Sequence, residues 1–351
     1  MVPVAPPDRP AAPPSAGLPA ARGPITERLF ASLGQAPHDL RWQLGAADEL
    51  DDQDDLHLAL YCCYELHYRG LRGVDPEWEW EPSLLAVRRQ LEHGFLADLH
   101  ATVGVVSVDP GAVVPRLWDM AGGGAGPSLS DWVAARADLD QLRELAIHRS
   151  AYQLKEADPH TWGIPRLAGR PKAAMVAIQA EEYGDGVAED MHASLFAGTM
   201  TALGLDPAVS YLDRIPGVTL ATTNLISLLG LHRRWRGALV GHLALFEMTS
   251  VGPMARYAEG LRRLGVADAG RRFYEVHVDA DEGHQHVAAD DLVAGLLEDE
   301  PELAPDVVFG AECLGALDER FSRHLLDRWG AGRSSLRAPD VATGGGAPPR
   351  R

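Results

Sequence analysis

Three histidines and four acids crowd into the segment Phe273 to His286, which reads FYEVHVDADEGHQH. An α-helix turns about 100° per residue, which places Asp281 about 40° and His284 about −20° around the axis from His277. These three side chains therefore share one narrow face of a helix. Imidazole and carboxylate ligands together suit iron, manganese or zinc. The spacing alone is thus as compatible with half of a metal site as with the polar face of a surface helix.

A metal pair in a helical bundle also needs carboxylates from facing helices. Glu247 is one candidate, because it lies in the apolar stretch LVGHLALFEMTS, where a lone carboxylate is costly to bury unless it is paired or metal-bound. Glu156 is a second candidate, and Arg149 and Tyr152 lie on the same helical face. The alternative for Glu156 is an Arg–Glu pair on a surface helix.

His192, in EDMHASLF, is a further candidate ligand, and two acids compete as its partner. Glu189 lies three residues before it, which is the Glu-x-x-His spacing of ferritin-like di-iron sites. Glu182, in EEYGDG, lies ten residues before it and would be off the face of a straight helix. The glycines that follow Glu182 argue against a straight helix. Periodicity alone favours Glu189.

Charge and cysteine content exclude several classes of protein. The 351 residues carry a formal net charge of −18, and such an acidic surface argues against nucleic acid or an anionic membrane as a partner. The three cysteines include adjacent Cys62 and Cys63 and show no CxxC spacing, so a reducing cytoplasm fits better than an oxidising compartment. The N-terminus lacks the apolar core of a signal peptide, and no run approaches the roughly 20 apolar residues of a membrane span.

The elements that must position these residues are helices. Helical hydrophobic periodicity dominates and strand-like alternation is scarce, which predicts an all-α bundle of about eight to ten helices. We expect disordered tails at residues 1–24, rich in proline and alanine, and at 334–351. Between them we expect an N-terminal helical region over 25–125 and the main helical domain over 126–333.

Four segments carry a resemblance to a known family: HRSAYQLKEADPHTWGIPRL, EEYGDG followed by MHASLFA, NLISLLGLHRRWRGALVGHLALFEMTS, and HVDADEGH. Over residues 143–291 the chain resembles the haem-oxygenase-like di-iron oxidases and oxygenases, in particular the actinobacterial iron-containing redox enzymes. The resemblance implies a haem-oxygenase-like bundle that holds two irons in place of haem. It prefers Glu182 where periodicity favours Glu189. The implied metal ligands are Glu156, Glu182, His192, Glu247, His277, Asp281 and His284.

The same resemblance implies a non-haem di-iron oxidoreductase that uses O2 on a small organic substrate, by oxygenating an amine or by cleaving a C–C bond. Arg149 and Tyr152 are the candidate substrate-binding residues, since a guanidinium forms a bidentate match with a carboxylate and Tyr152 shares the face of Glu156. An external reductant and a homodimer are both compatible with the sequence. Two alternatives remain: an iron-binding bundle without turnover, and a haem-oxygenase-like or thiaminase-like bundle of another function.

Overall fold

A computed structural model describes residues 16–41, 52–123 and 128–338 of the chain, without the side chains of residues 279–282. Within these ranges the chain forms α-helices joined by short turns, and it forms no β-strand beyond an isolated bridge between Gly17 and Arg72. The prediction of an all-α fold is therefore confirmed. The α-helices are α1 (Pro24–Leu33), α2 (Gln53–Glu65), α3 (Pro82–Val103), α4 (Val113–Ala121), α5 (Leu129–Ala135), α6 (Leu139–Gln153), α7 (Asp158–Thr161), α8 (Gly169–Glu182), α9 (His192–Ala202), α10 (Gly217–Leu231), α11 (Arg236–Arg263), α12 (Asp268–His286), α13 (Ala294–Asp299) and α14 (Ala304–Gly330).

The long helix α11 lies at the centre of the bundle and packs most extensively against α12 and α14. Glycine permits the close approach to α14, because a Cβ atom on Gly241 would overlap the backbone of Val307. Val240, Leu243 and Val308 are completely or almost completely buried at this contact. The helix that carries Glu247 is therefore fixed rigidly against its neighbours.

The N-terminal helices share their hydrophobic core with the rest of the bundle. One buried cluster joins Leu29 of α1, Leu56 of α2, Leu91 of α3 and Leu228 of α10. The region over 25–125 therefore packs directly on helices of the main domain. The boundary expected near residue 125 falls in 124–127, outside the residues that the structure describes.

Parts of both expected tails make defined contacts. Arg22 donates hydrogen bonds through Nη2 to the carbonyl oxygens of Leu212, at 2.6 Å, and Ile215, at 2.7 Å. Near the other end, Ser335 donates through Oγ to Glu144 Oε2 at 2.6 Å. Ala20 N also donates to Asp213 Oδ1, and Arg337 N donates to the carbonyl oxygen of Arg214. Residues 16–24 and 334–338 are therefore held in place by several polar contacts with distant residues, which composition does not reveal. The remainder of both tails, 1–15 and 339–351, lies outside the described ranges.

The helix α12 is continuous from Asp268 to His286 and passes directly into a π-helical segment, Val287–Val293. It packs against α9 and α11, and α8 packs against the π-helical segment. These contacts bring α8, α9 and α11 around the face of α12 that carries the predicted ligands. In the part of the chain that the structure describes, no helix is both long and apolar enough to cross a membrane.

Candidate metal centre

Six of the seven predicted ligands converge at one place in the interior of the bundle. They are Glu156 in the turn after α6, Glu182 at the end of α8, His192 at the start of α9, Glu247 in α11, and His277 and His284 in α12. All six are between 2% and 7% exposed. The seventh, Asp281, belongs to α12, but its side chain lies outside the described part of the structure, so its role stays a prediction.

A break in the helix positions Glu156. The helix α6 ends at Gln153, and α7 begins at Asp158 after Ala157, which has φ 74° and ψ −34°. A non-glycine residue in this region is strained by about 1–3 kcal/mol and persists only where the surroundings hold it, as is common at functional sites. Ala157 is 1% exposed, so the packed interior provides that restraint. The side chain of Glu156 thereby enters the centre of the bundle.

A sharp turn after α8 brings Glu182 and His192 together. Gly184 has φ 63°, and a Cβ atom there would lie 2.6 Å from Asp190 C and from Met191 N, so the turn requires glycine. Glu182 Oε2 consequently lies 2.9 Å from His192 Nδ1, although ten residues separate the two in the sequence. Glu189 is exposed and belongs to neither ligand group described below. The geometry therefore places Glu182, and not Glu189, beside His192.

The buried donor atoms form two groups that share Glu182. The first group is Glu156, Glu182, His192 and His277, and the second is Glu182, Glu247 and His284. Within each group the donor atoms, one from each residue, lie within 4.8 Å of one another. Among the described residues, Glu182 is thus the carboxylate that both groups contain.

Hydrogen bonding orients the imidazole of His277. Its Nδ1 lies 2.7 Å from the carbonyl oxygen of Phe273, one helical turn earlier, and must donate its proton to that acceptor. The Nε2 atom is then the one available to a metal, and it lies 4.0 Å from Glu156 Oε2. The ring of His192 packs beside that of His277, with 4.1 Å between centroids. Such hydrogen bonding of the non-ligating nitrogen is typical of metal-binding histidines.

The buried negative charge of the cluster favours a bound cation. Burial raises the pKa of Tyr152 well above its usual value, and the nearby carboxylates of Glu156, Glu182 and Glu247 raise it further. Burial would also raise the pKa of Glu182, but the contact with His192 and the charge of the neighbouring imidazoles outweigh burial and lower it. Three carboxylates are thus concentrated in a buried volume, where charges without compensation are costly. Oxygen and imidazole donors in this number fit iron.

The two predicted substrate-binding residues lie in different surroundings. Tyr152 is buried beside the three carboxylates, and its ring meets Phe246 edge to face at 6.0 Å between centroids. Arg149 donates through Nη2 to Asp318 Oδ1 at 3.2 Å, and its guanidinium lies 4.4 Å from the ring centre of Phe321. The guanidinium of Arg149 is therefore engaged by α14, and its role toward a substrate remains a prediction.

One residue of the site was missed from the sequence. Glu181 Oε2 lies 2.9 Å from His284 Nε2, whereas His284 Nδ1 lies 3.3 Å from Glu247 Oε2. The only signal was the pair of adjacent acids in EEYGDG, and one member of such a pair at a helix end is ordinarily solvated. The distance to His284 depends on how α8 packs against α12, which spacing does not provide.

The chain belongs to the family of iron-containing redox enzymes, whose model matches residues 143–319. This confirms the resemblance drawn from the sequence motifs, and the protein is an oxidoreductase with a haem-oxygenase-like bundle. Among characterised proteins, the chain is similar to a nitrosourea synthase from Streptomyces achromogenes subsp. streptozoticus, with 24% identity over 255 residues. The alignment covers 69% of this chain and 54% of the synthase, so the chain spans about half the length of that relative.

Proposed function

We propose that this protein is a non-haem di-iron oxygenase that uses O2 to oxygenate a nitrogen atom of a small organic substrate. The observation that carries the proposal is Glu182, which belongs to two adjacent groups of buried ligands. The iron-containing family supports the choice of metal. The name of the related nitrosourea synthase supports the reaction, because a nitrosourea carries an oxygen atom on nitrogen.

Each group of donors would hold one ion, and Glu182 would contribute to both groups. Two ferrous ions, when bound, supply electrons that reduce O2, which side chains alone do not provide. The proposed ligands are Glu156, Glu182, His192, Glu247, His277 and His284, together with Asp281.

The protein's own groups hold the donors in place and keep the site dry. Phe273 fixes His277 through its carbonyl oxygen, and its ring lies 4.5 Å from the imidazole of the same histidine. Phe196 and Phe273 are fully buried beside the cluster, so their rings exclude water from this side. Tyr152 keeps its phenolic proton because its pKa is raised, so it presents a neutral donor next to the carboxylates.

The balanced reaction requires an external reductant. Conversion of a primary amine and O2 into a hydroxylamine and water consumes two electrons and two protons, which a reductant must deliver. We expect a small amine as substrate. We expect no nucleic acid or anionic membrane as a partner, because the chain carries a net charge of −18. Cys62, Cys63 and Cys313 are buried and free, which supports a reducing cytoplasm as the location.

The decisive test is an anaerobic titration of the protein with Fe(II), followed by mixing with O2. Wild-type protein should saturate at two irons per chain and give a transient visible absorption after mixing. A panel of small amines with 18O2 should then yield a product that carries label on nitrogen, detected by mass spectrometry, and Glu182→Ala should form none. Stable binding of two irons without consumption of O2 would indicate iron storage instead. Label recovered only in fragments of a cleaved carbon chain would exclude N-oxygenation.

A further inference from the structure

We propose that Glu181 is a positioning residue for His284: when a metal is bound, its carboxylate, which lies beside Nε2, accepts a hydrogen bond from that atom and thereby directs Nδ1 to the metal. This inference rests on the proposed di-iron centre and adds a residue outside its ligand set. Glu181 Oε2 lies 2.9 Å from His284 Nε2, and the imidazole is only 4% exposed.

Both nitrogens of His284 face carboxylates, but the two carboxylates differ in position. Nδ1 lies 3.3 Å from Glu247 Oε2, and Glu247 and His284 form a ligand group with Glu182. Glu181 lies outside both ligand groups, and its side chain is 49% exposed. A neutral imidazole carries one proton, so a metal bound at Nδ1 requires that proton at Nε2, where Glu181 accepts it.

The end of α8 explains why adjacent acids take different roles. Successive residues of a helix project about 100° apart, so Glu182 enters the cluster while Glu181 remains at its rim. Because Glu181 is half exposed, its carboxylate retains much of its hydration and can accept from His284 at little desolvation cost.

The two histidines of α12 are therefore oriented by different means. His277 donates to a backbone carbonyl, that of Phe273, which no side-chain replacement removes. The orientation of His284 depends on the side chain of Glu181, which a substitution removes. Residues that orient a metal-bound histidine typically contribute about 10- to 100-fold to metal affinity. We expect a loss near tenfold here, because exposed carboxylates contribute less than buried ones.

Anaerobic Fe(II) binding by wild type, Glu181→Ala and Glu181→Gln tests the inference, with Glu189→Ala as a control for loss of an exposed acid in the same region. In Glu181→Ala, one of the two irons should bind about tenfold more weakly and the other should be unchanged. Glu181→Gln should recover most of the affinity, because the amide oxygen still accepts a hydrogen bond. Glu189→Ala should match the wild type.

A second measurement follows the proton itself in diamagnetic protein loaded with Zn(II). Long-range 1H–15N spectra of the wild type should show His284 protonated at Nε2, and Glu181→Ala should lose the fixed tautomer. Wild-type affinity in Glu181→Ala, equal losses in the Ala and Gln variants, or complete loss of one iron would each overturn the positioning role. Fewer than two irons in the wild type would overturn the proposed function instead, and the zinc spectra would still decide the role of Glu181.

Discussion

Lys155 and Glu156 are consecutive residues whose side chains enter two different buried clusters. Lys155 Nζ lies 2.5 Å from Glu65 Oε2 in α2, whereas Glu156 Oε2 lies 4.0 Å from His277 Nε2 in α12. The strained turn at Ala157 follows directly. The turn that presents the proposed ligand is therefore anchored on its opposite side by an ion pair.

The Lys155–Glu65 pair should contribute strongly to stability. Lys155 is 4% and Glu65 8% exposed, so Lys155→Met leaves a buried carboxylate without its partner. We expect the free energy of unfolding to fall by about 3–5 kcal/mol, measured by urea denaturation of the metal-free protein. The double variant Lys155→Met with Glu65→Leu should recover most of this loss, because no charge is then left unpaired. Equal stability of the single and double variants would contradict this explanation.

Glu182 and Glu189 should differ sharply in their effect on iron content. Glu182→Ala removes the carboxylate shared by both ligand groups, so we expect clearly fewer than two irons per chain. Glu189→Ala changes an exposed side chain and should leave the content at two. Elemental analysis after anaerobic loading and desalting measures both. Retention of two irons by Glu182→Ala would exclude Glu182 as the shared ligand.

Bound metal should stabilise the fold. In the metal-free protein, the buried carboxylate of Glu247 should lower the melting temperature. Free Fe(II) at 100 times its dissociation constant stabilises a one-site protein by about 2.7 kcal/mol, so the wild-type melting temperature should rise on loading. Glu247→Leu replaces a carboxylate that is 3% exposed in α11. Its metal-free melting temperature should equal or exceed that of the wild type, while the rise with Fe(II) should shrink. Anaerobic calorimetry with and without Fe(II) measures both, and an unchanged rise would count against Glu247 as a ligand.

Helical periodicity indicates which side chains share a face where the helix is unbroken. The spacing in α12 placed His277 and His284 on one face, and the structure brings both into the cluster. The same reasoning favoured Glu189 over Glu182, because it assumed that one helix continues to His192. The chain turns at Gly184 instead, and α8 ends at Glu182. Resemblance to the family, rather than spacing, favoured Glu182.

Contacts between residues distant in sequence were beyond what the sequence could predict. The pairing of Glu65 with Lys155 joins positions 90 residues apart, and the proximity of Glu181 to His284 depends on the packing of α8 against the end of α12. Composition likewise indicated disorder up to residue 24, whereas the guanidinium of Arg22 anchors that segment to Leu212 and Ile215. Local pattern predicts an element and its buried face, but it does not fix which faces meet.

Acid should destabilise the protein through histidines that are buried in the neutral form, and His57 is the clearest case. It lies in α2, is 2% exposed, and its ring meets Phe95 edge to face. Burial lowers the pKa of His57 from 6.5 to about 4. Below about pH 6.5 the unfolded chain binds a proton that the folded protein binds only near pH 4. The contribution of neutral, buried His57 to the free energy of unfolding is therefore fully present above pH 6.5. It is lost as the pH falls toward 4.

The expected slope is up to about 1.4 kcal/mol of unfolding free energy per pH unit for this single group. Urea denaturation of the metal-free protein at intervals between pH 7 and pH 4.5 measures it. His57→Leu should reduce the slope of unfolding free energy against pH by this amount, because leucine fills the site without binding a proton. Other buried histidines contribute to the remaining slope. One is His160, whose pKa burial also lowers to about 4. His93→Gln, at an exposed position of α3, is the matched control and should leave the slope unchanged. Identical slopes in His57→Leu and the wild type would show that His57 is protonated in the folded protein as readily as in the unfolded chain.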